Sequence, residues 1–194
     1  QVYSDSYFDG VSDDTGLPHK YGIWYDGSGY SLEGMYIHGE ISGIAREINP
    51  SGDIYVGEWS NEAPNGYGKR TTHIGEIFEG NFIYGQLNGS GTRTWANGDL
   101  YIGEFKNGYM HGYGVKTTYL GETFEGEFKY DKLNGQALYK SPDGFTYEGN
   151  WLNDQAWGFG ILTDGDGYSY EGEWAHDMEN GHGKKIFDDG AYYE

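Results

Sequence analysis

Cysteine is missing from all 194 residues. No disulfide framework can therefore support the fold, which is compatible with an intracellular protein. Aliphatic material is sparse, since Leu, Ile, Val and Phe together make up 34 of 194 residues, about 18%. Basic residues are few as well: 12 Lys and Arg stand against 31 Asp and Glu, for a formal net charge of −19. That balance disfavours nucleic acid, whose phosphates need Lys and Arg, and unaided docking on anionic lipid. No apolar run approaches the ~20 residues of a membrane-spanning helix, and no signal peptide is visible. The chain opens on Gln1 rather than Met, as a processed or partial chain would, with any targeting segment outside it. Asn88-Gly89-Ser90 fits the glycosylation sequon, a match expected by chance in a glycine-rich chain.

Low aliphatic content with high net charge ordinarily indicates disorder. The aromatics argue the other way. Twenty Tyr and six Trp occupy fixed periodic positions. Seven segments recur at a step of 23 residues without an insertion: Leu32 to Tyr36, Tyr55 to Trp59, Phe78 to Phe82, Tyr101 to Phe105, Phe124 to Phe128, Tyr147 to Trp151 and Tyr170 to Trp174. Each has glycine at its centre, and Tyr193 falls on the next step. A fixed period of this size indicates a repeat array in which each unit packs on its neighbours.

If Tyr55 to Trp59 is a strand, residues 55, 57 and 59 share one face and Val56 and Glu58 the other. Across the seven copies the second face carries nine Glu in fourteen positions: Glu33, Glu58, Glu79, Glu104, Glu125, Glu127, Glu148, Glu171 and Glu173. One face is aromatic and glycine, the other acidic, which is the antiparallel-sheet pattern. A second glycine pair recurs at the same step, as in Gly66/Gly68 and Gly112/Gly114, and opens a second strand. A third glycine, as in Asn97-Gly98 and Asp143-Gly144, marks a tight turn. Each repeat thus reads as a hairpin of two short strands and two turns. Glycine inside a strand weakens it, so its periodicity implies that a neighbouring ring lies over it. The aromatics and glycines read primarily as fold-making.

These segments resemble the MORN repeat (membrane occupation and recognition nexus), whose pattern is approximately Y-x-G-x-W, then N/H-G-x-G, then D/N-G. The run from Tyr101 through Asn107-Gly108 to His111-Gly112-Tyr113-Gly114 matches closely. The resemblance covers roughly residues 20 to 194; Leu32 and Tyr36 make the first repeat atypical, and Lys20 stands where a glycine is expected before Tyr21-Gly22. It implies an all-β fold, an elongated, twisted, single-layer antiparallel meander of 23-residue hairpins. Seven repeats of two strands would make a rod of roughly 65 to 70 Å at about 4.8 Å per strand. Residues 1–31 are expected to form a degenerate cap, with Phe8-Asp9-Gly10 as a partial echo, and residues 32–194 the array. A 46-residue period is superposed. Thr72 to Phe82 echoes Thr118 to Phe128, and Asp53 to Trp59 echoes Asp99 to Phe105. Duplication of two repeats accounts for it; a partner that reads every second repeat is the alternative.

Catalytic and metal-binding patterns are not evident. The six His are scattered without ligand spacing, and His111 sits where the repeat often has a turn Asn. Asp164-Gly165-Asp166-Gly167 hints at a calcium loop, but position twelve is Ala175 rather than Glu, so an EF-hand fails. No nucleophile–base constellation stands out. Lys69, Arg70, Arg93, Lys116, Lys184 and Lys185 lie on second strands, where pairing across to the Glu row is expected.

The chain is therefore expected to be no enzyme and to take no cofactor. A single layer leaves its aromatic face as a groove for a partner or for another copy of the chain. The rings expected to line it are Tyr55, Trp59, Phe78, Phe82, Tyr101, Phe105, Phe124, Phe128, Tyr147, Trp151, Tyr170 and Trp174. The expected partner is an extended or helical protein segment; direct membrane binding is disfavoured, and a homodimer is a further way to cover the face. The resemblance implies a scaffold in a cytoplasmic, cytoskeletal or ciliary assembly. Two alternatives stand beside it: a regulatory module of an enzyme whose catalytic domain lies outside this chain, and a phospholipid-binding membrane-junction module.

Overall fold

A computed structural model of the chain describes residues 6–194. Among them there is no helix, as the strict alternation predicts for residues 32–192, and hence none long and apolar enough to cross a membrane. The structure divides into two units, residues 1–96 and residues 97–194. The first holds β1 (Tyr7–Ser12), β2 (Pro18–Tyr25), β3 (Ser31–Ile37), β4 (Glu40–Ile48), β5 (Ile54–Ser60), β6 (Ala63–Thr71), β7 (Ile77–Ile83) and β8 (Gln86–Thr94). The second holds β9 (Leu100–Lys106), β10 (Tyr109–Thr117), β11 (Thr123–Lys129), β12 (Lys132–Lys140), β13 (Thr146–Leu152), β14 (Gln155–Thr163), β15 (Ser169–Ala175), β16 (Met178–Ile186) and β17 (Tyr192–Tyr193). Within each unit every strand pairs antiparallel with the next in sequence, a meander of hairpins.

Each 23-residue repeat supplies one strand of seven residues and one of nine. A two-residue turn joins them, as at Asn107-Gly108, where φ is 53° and 81°. Positive φ at both positions is the type I′ geometry, whose twist matches that of the flanking strands, and Asn-Gly adopts it most readily. The connection to the next repeat is a longer loop closed by its own side chain. Asn49 Oδ1 accepts the N–H groups of Ser51 and Asp53 at 3.0 Å, and the Gly52 N–H donates to Asn49 O at 2.9 Å.

A further clamp fixes one hairpin against the last. The turn residues Asp131, Asp154 and Asp177 each accept, through Oδ1, the backbone N–H of Met110, Leu133 and Ala156 at 2.8, 2.8 and 2.7 Å. Each returns its own N–H to the carbonyl of the same residue, at 3.1, 3.0 and 3.3 Å. The step between these clamps is one repeat.

The first hairpin keeps the glycine ladder of the others but has a five-residue loop, residues 13–17, in place of the two-residue turn. Residues 1–5 of the expected cap lie outside the described residues. In the rest, Gly10, Gly22 and Gly34 stand opposite one another across β1, β2 and β3, and the Phe8 ring lies over Gly10 and Gly22.

Candidate partner-binding face

The alternation places the two faces as the sequence predicts. Tyr55, Gly57 and Trp59 are buried, while Val56 and Glu58 between them are exposed. On the buried side the Tyr55 ring lies across the facing glycines Gly57 and Gly68, closer than any β-carbon there would allow. Its hydroxyl donates to Glu58 O at 2.9 Å. The pairing of β5 with β6 shifts register between Gly57 and Trp59. Such a bulge takes a carbonyl out of the ladder, and the tyrosine hydroxyl restores a donor to it. The same arrangement recurs with Tyr101 over Gly103 and Gly114, Tyr147 over Gly149 and Gly160, and Tyr170 over Gly172 and Gly183. Their hydroxyls reach Glu104 O, Asn150 O and Glu173 O at 3.1, 3.2 and 3.0 Å.

The intervening repeats solve the problem differently. Ile41 lies over Gly34, and Leu87 over both Gly80 and Gly91; Leu133 is buried at the matching place opposite Phe128. An aliphatic side chain from the second strand there takes the space that tyrosine from the first strand takes elsewhere. Both cannot fit, so the first-strand ring turns outward. Phe78 and Phe124 are accordingly half-buried. Arg93 covers Phe78 at 5.0 Å from the ring centroid and Trp95 at 4.4 Å, and Phe124 rests on Tyr139 at 4.9 Å. Through the repeat at Tyr147 the 46-residue period is therefore a packing unit of two repeats; Tyr170 ends the alternation by covering its glycines as Tyr147 does.

Rings interlock edge to face across each pair of repeats. Tyr55 meets Phe82 at 5.1 Å, Tyr101 meets Phe128 at 5.1 Å and Tyr147 meets Trp174 at 5.0 Å between centroids. Each buried ring removes on the order of 150–250 Å² from water, roughly 4–6 kcal/mol before the cost of ordering the chain. Burial pushes the hydroxyls of Tyr55 and Tyr147 up to about 12, and the Tyr101 hydroxyl rises for the same reason.

This changes what the twelve expected groove rings can offer. Tyr55, Trp59, Phe82, Tyr101, Phe105, Phe128, Tyr147, Tyr170 and Trp174 are buried against one another and constitute the core. Phe78, Phe124 and Trp151 are half-buried and keep a reachable edge. An open face of twelve rings does not form, because a one-layer sheet with so few aliphatics has to use its rings as mutual cover. Accessible space lies instead at depressions, two of which have aromatic and aliphatic walls. One, of about 730 Å³ in the first unit, is lined by Trp24, Tyr30, Leu32, Tyr36, Ile41 and Trp59 among others. The other, of about 550 Å³ in the second unit, includes Leu120, Tyr139, Pro142, Phe145 and Leu162. Trp24, Tyr30, Tyr139 and Leu162 lie outside the Tyr-x-Gly-x-Trp segments, and the signal for Tyr139 and Leu162 was their 23-residue step behind Lys116 and Arg93.

Trp59, which lines the first depression, differs from the later tryptophans of the array. The indole N–H groups of Trp151 and Trp174 donate to Ala137 O and Gly160 O at 3.2 and 3.1 Å. The Trp59 indole N–H is buried and has no acceptor. Carboxylates stand at the rim: Glu40 and Glu62 line the depression, and burial raises Glu47 above the ordinary range.

The cations do not pair as expected. Arg46 reaches Glu33 of the Glu row at 3.6 Å. Arg93, however, pairs with Glu76 at 2.9 Å, Lys185 with Glu179, and Lys184 with Glu194 at 3.6 Å, while Arg70 lies 5.6 Å from the Phe82 ring centroid. Register explains this for Arg70, Arg93 and Lys185, which stand opposite Tyr55, Phe78 and Tyr170 and so project on the aromatic side. The Glu row is served by tyrosines instead: Tyr21, Tyr67 and Tyr113 donate to Glu33, Glu79 and Glu125 at 2.6, 2.8 and 2.9 Å. His111 is not a turn residue either. The turn ends at Gly108, so position 111 lies within β10, with its ring 5.3 Å from Tyr130. At the Asp164 loop, Oδ1 accepts three backbone N–H groups, from Asp166, Gly167 and Tyr168, which is a turn closing on itself.

Comparison with known proteins fits this build. A family model for the MORN repeat matches residues 55–76, 78–100, 101–118, 124–146, 147–167 and 170–192. No curated protein matches the chain. Among solved structures, the G-box domain of the microcephaly protein CPAP, for which a role in centriole elongation has been suggested, is 11% identical with a TM-score of 0.55, covering 97% of each chain. The TCP domain of SAS-4 (dCPAP) of Drosophila melanogaster, in complex with a proline-rich motif of Ana2, is 10% identical with a TM-score of 0.48, covering 84% of this chain and 86% of that one. At 11% identity the likeness to the CPAP G-box domain is one of fold.

Proposed function

The chain belongs to the MORN repeat family, and from that premise we propose that it is a non-catalytic scaffold that binds a protein segment on the aromatic side of its sheet. The observation that carries the reading is the depression over Trp59. Its walls are aromatic and aliphatic, and Trp59 lines it. The backbone of an extended or helical segment would lie over it, with its side chains against Trp24, Tyr30 and Leu32. The carboxylates of Glu40 and Glu62 at the rim favour a segment that carries Lys or Arg beside its apolar residues. Rigid rings with few rotatable bonds suit such anchoring.

The rings at 55, 82, 101, 105, 128, 147, 170 and 174 act through the fold in this reading; Phe78, Phe124 and Trp151 extend the contact surface. A cytoplasmic assembly of the cytoskeleton or cilium is the proposed setting, to be checked by localisation of a tagged chain. The binding face is tested by placing a photo-crosslinking residue at Trp24 or Tyr30 and, as control, at Ile44, which is exposed on the acidic side. Protein adducts concentrated at 24 and 30 support the reading. Equal adducts at 44 overturn it, and adducts between two copies or with lipid would replace the partner by a dimer or a membrane.

A further inference from the structure

We propose that Asp13, His19 and His38 form a binding site for a divalent transition metal of the zinc type. Asp13 lies between β1 and β2, His19 is the second residue of β2, and His38 stands in the turn from β3 to β4. The sequence separates them by up to 25 residues and gives no ligand spacing; the pairing of three strands brings them together. One ligand atom from each lies within 4.8 Å of the others, and no second group of three meets that condition among the described residues. Asp13 Oδ2 is 2.8 Å from His38 Nδ1, and the two imidazole rings are 5.3 Å apart between centroids.

Each member is prepared for a ligand role. Asp13 Oδ1 is engaged by the Thr15 N–H at 2.9 Å, the Thr15 hydroxyl at 2.5 Å and the Leu17 N–H at 3.1 Å, so Oδ2 is the oxygen presented to His38. His19 carries a buried Nδ1 with no hydrogen-bond partner. An Asp–His ion pair between turns accounts for Asp13 and His38, and the buried, unpartnered Nδ1 of His19 has a counterpart at His111, so what points to a metal is the meeting of the three donors.

The donor set selects the ion. Two imidazoles and one carboxylate suit zinc, with water as the fourth ligand, whereas calcium and magnesium prefer all-oxygen sites. Ligand bonds of about 2.0–2.2 Å in a tetrahedron place donor atoms roughly 3.3 Å apart. Modest side-chain rotation closes the present spread to that value, and the exposed His38 is free to make it. The chain's net charge of −19 raises the local cation concentration. A bound ion would join the loop after β1, the start of β2 and the turn after β3. The Gly39 N–H already donates to Pro18 O there at 2.8 Å, and both residues wall the depression over Trp59. The metal would stiffen one rim of that depression, although the site stands whether or not a protein segment binds there.

The test is titration of the untagged, chelator-stripped chain with cobalt(II) and zinc(II). Cobalt should give a saturable visible d–d absorption at one equivalent, displaced by zinc, and zinc should raise the melting temperature. His38→Gln with His19→Gln should weaken cobalt binding at least tenfold and remove the thermal shift. Asp13→Asn keeps the Oδ1 acceptor of the turn and should weaken binding likewise, which guards against a double variant that fails to fold. His73→Gln, beside Asp53, should bind as the parent does. Absence of a saturable cobalt spectrum, or parental binding by folded variants of the site, would overturn the proposal.

Discussion

The Tyr101 ring rests on Gly114 of the neighbouring strand, so closely that a β-carbon at Gly114 would overlap the phenol itself. The same ring covers Gly103 and is fully buried. The contact is made on both sides by absence: two glycines facing each other leave a slot one ring thick.

Gly114→Ala should therefore destabilise the protein by about 1–3 kcal/mol, the usual range for overpacking a tight site. Gly103→Val should cost at least as much. Urea unfolding followed by circular dichroism measures both, and a parental midpoint for either would show that the slot can widen freely.

Tyr101→Phe keeps the ring and removes the hydroxyl that serves Glu104 O at 3.1 Å. Phe at this place in other repeats turns outward because an aliphatic fills the slot, but here the ring itself fills it over Gly103 and Gly114. The ring should stay and the carbonyl lose its donor, for a loss of roughly 1 kcal/mol. A double-mutant cycle with Tyr147→Phe, two repeats on in the same unit, should be additive.

Alkaline pH should unfold the chain by a defined route. The hydroxyls of Tyr55 and Tyr147 are pushed up to about 12 by burial, from 10.0. The folded state holds the neutral phenol, so this contribution is complete below pH 10 and is lost as pH rises from 10 through 12. Each such tyrosine removes about 1.4 kcal/mol of stability per pH unit across that window. Thermal melts at pH 8 to 11.5, with phenolate absorbance followed in parallel, should show ionisation of these rings only together with unfolding.

Asp154→Ala deletes the acceptor for the Leu133 N–H and leaves a β-carbon-bearing residue at a φ of 68° without the side chain that tethered it. A cost of about 1–2 kcal/mol is expected. Hydrogen exchange should localise the effect, with faster exchange at Leu133 and little change at Tyr170. Uniform acceleration would mean that the clamp is no local device.

Much of this architecture was legible in the chain itself. Alternation within Tyr55 to Trp59, repeated every 23 residues, is a local property: a strand sends successive side chains to opposite faces whatever surrounds it. Two strands per repeat, the paired turns, the acidic side and the membership of the aromatic side followed from that. What a period of two cannot state is how two strands divide the space between them. Whether Tyr55 or Leu87 covers the facing glycines depends on which side chain reaches across first, and that choice buried nine of the expected groove rings while leaving Phe78, Phe124 and Trp151 at the edge. Cross-strand register, likewise, put Arg70 and Arg93 on the aromatic side rather than in the Glu row, with Arg93 paired there to Glu76. The meeting of Asp13, His19 and His38 is the furthest from the sequence. It requires one irregular hairpin and a second turn folded against it, and only the tertiary structure brings residues 25 positions apart within a ligand's reach of one another.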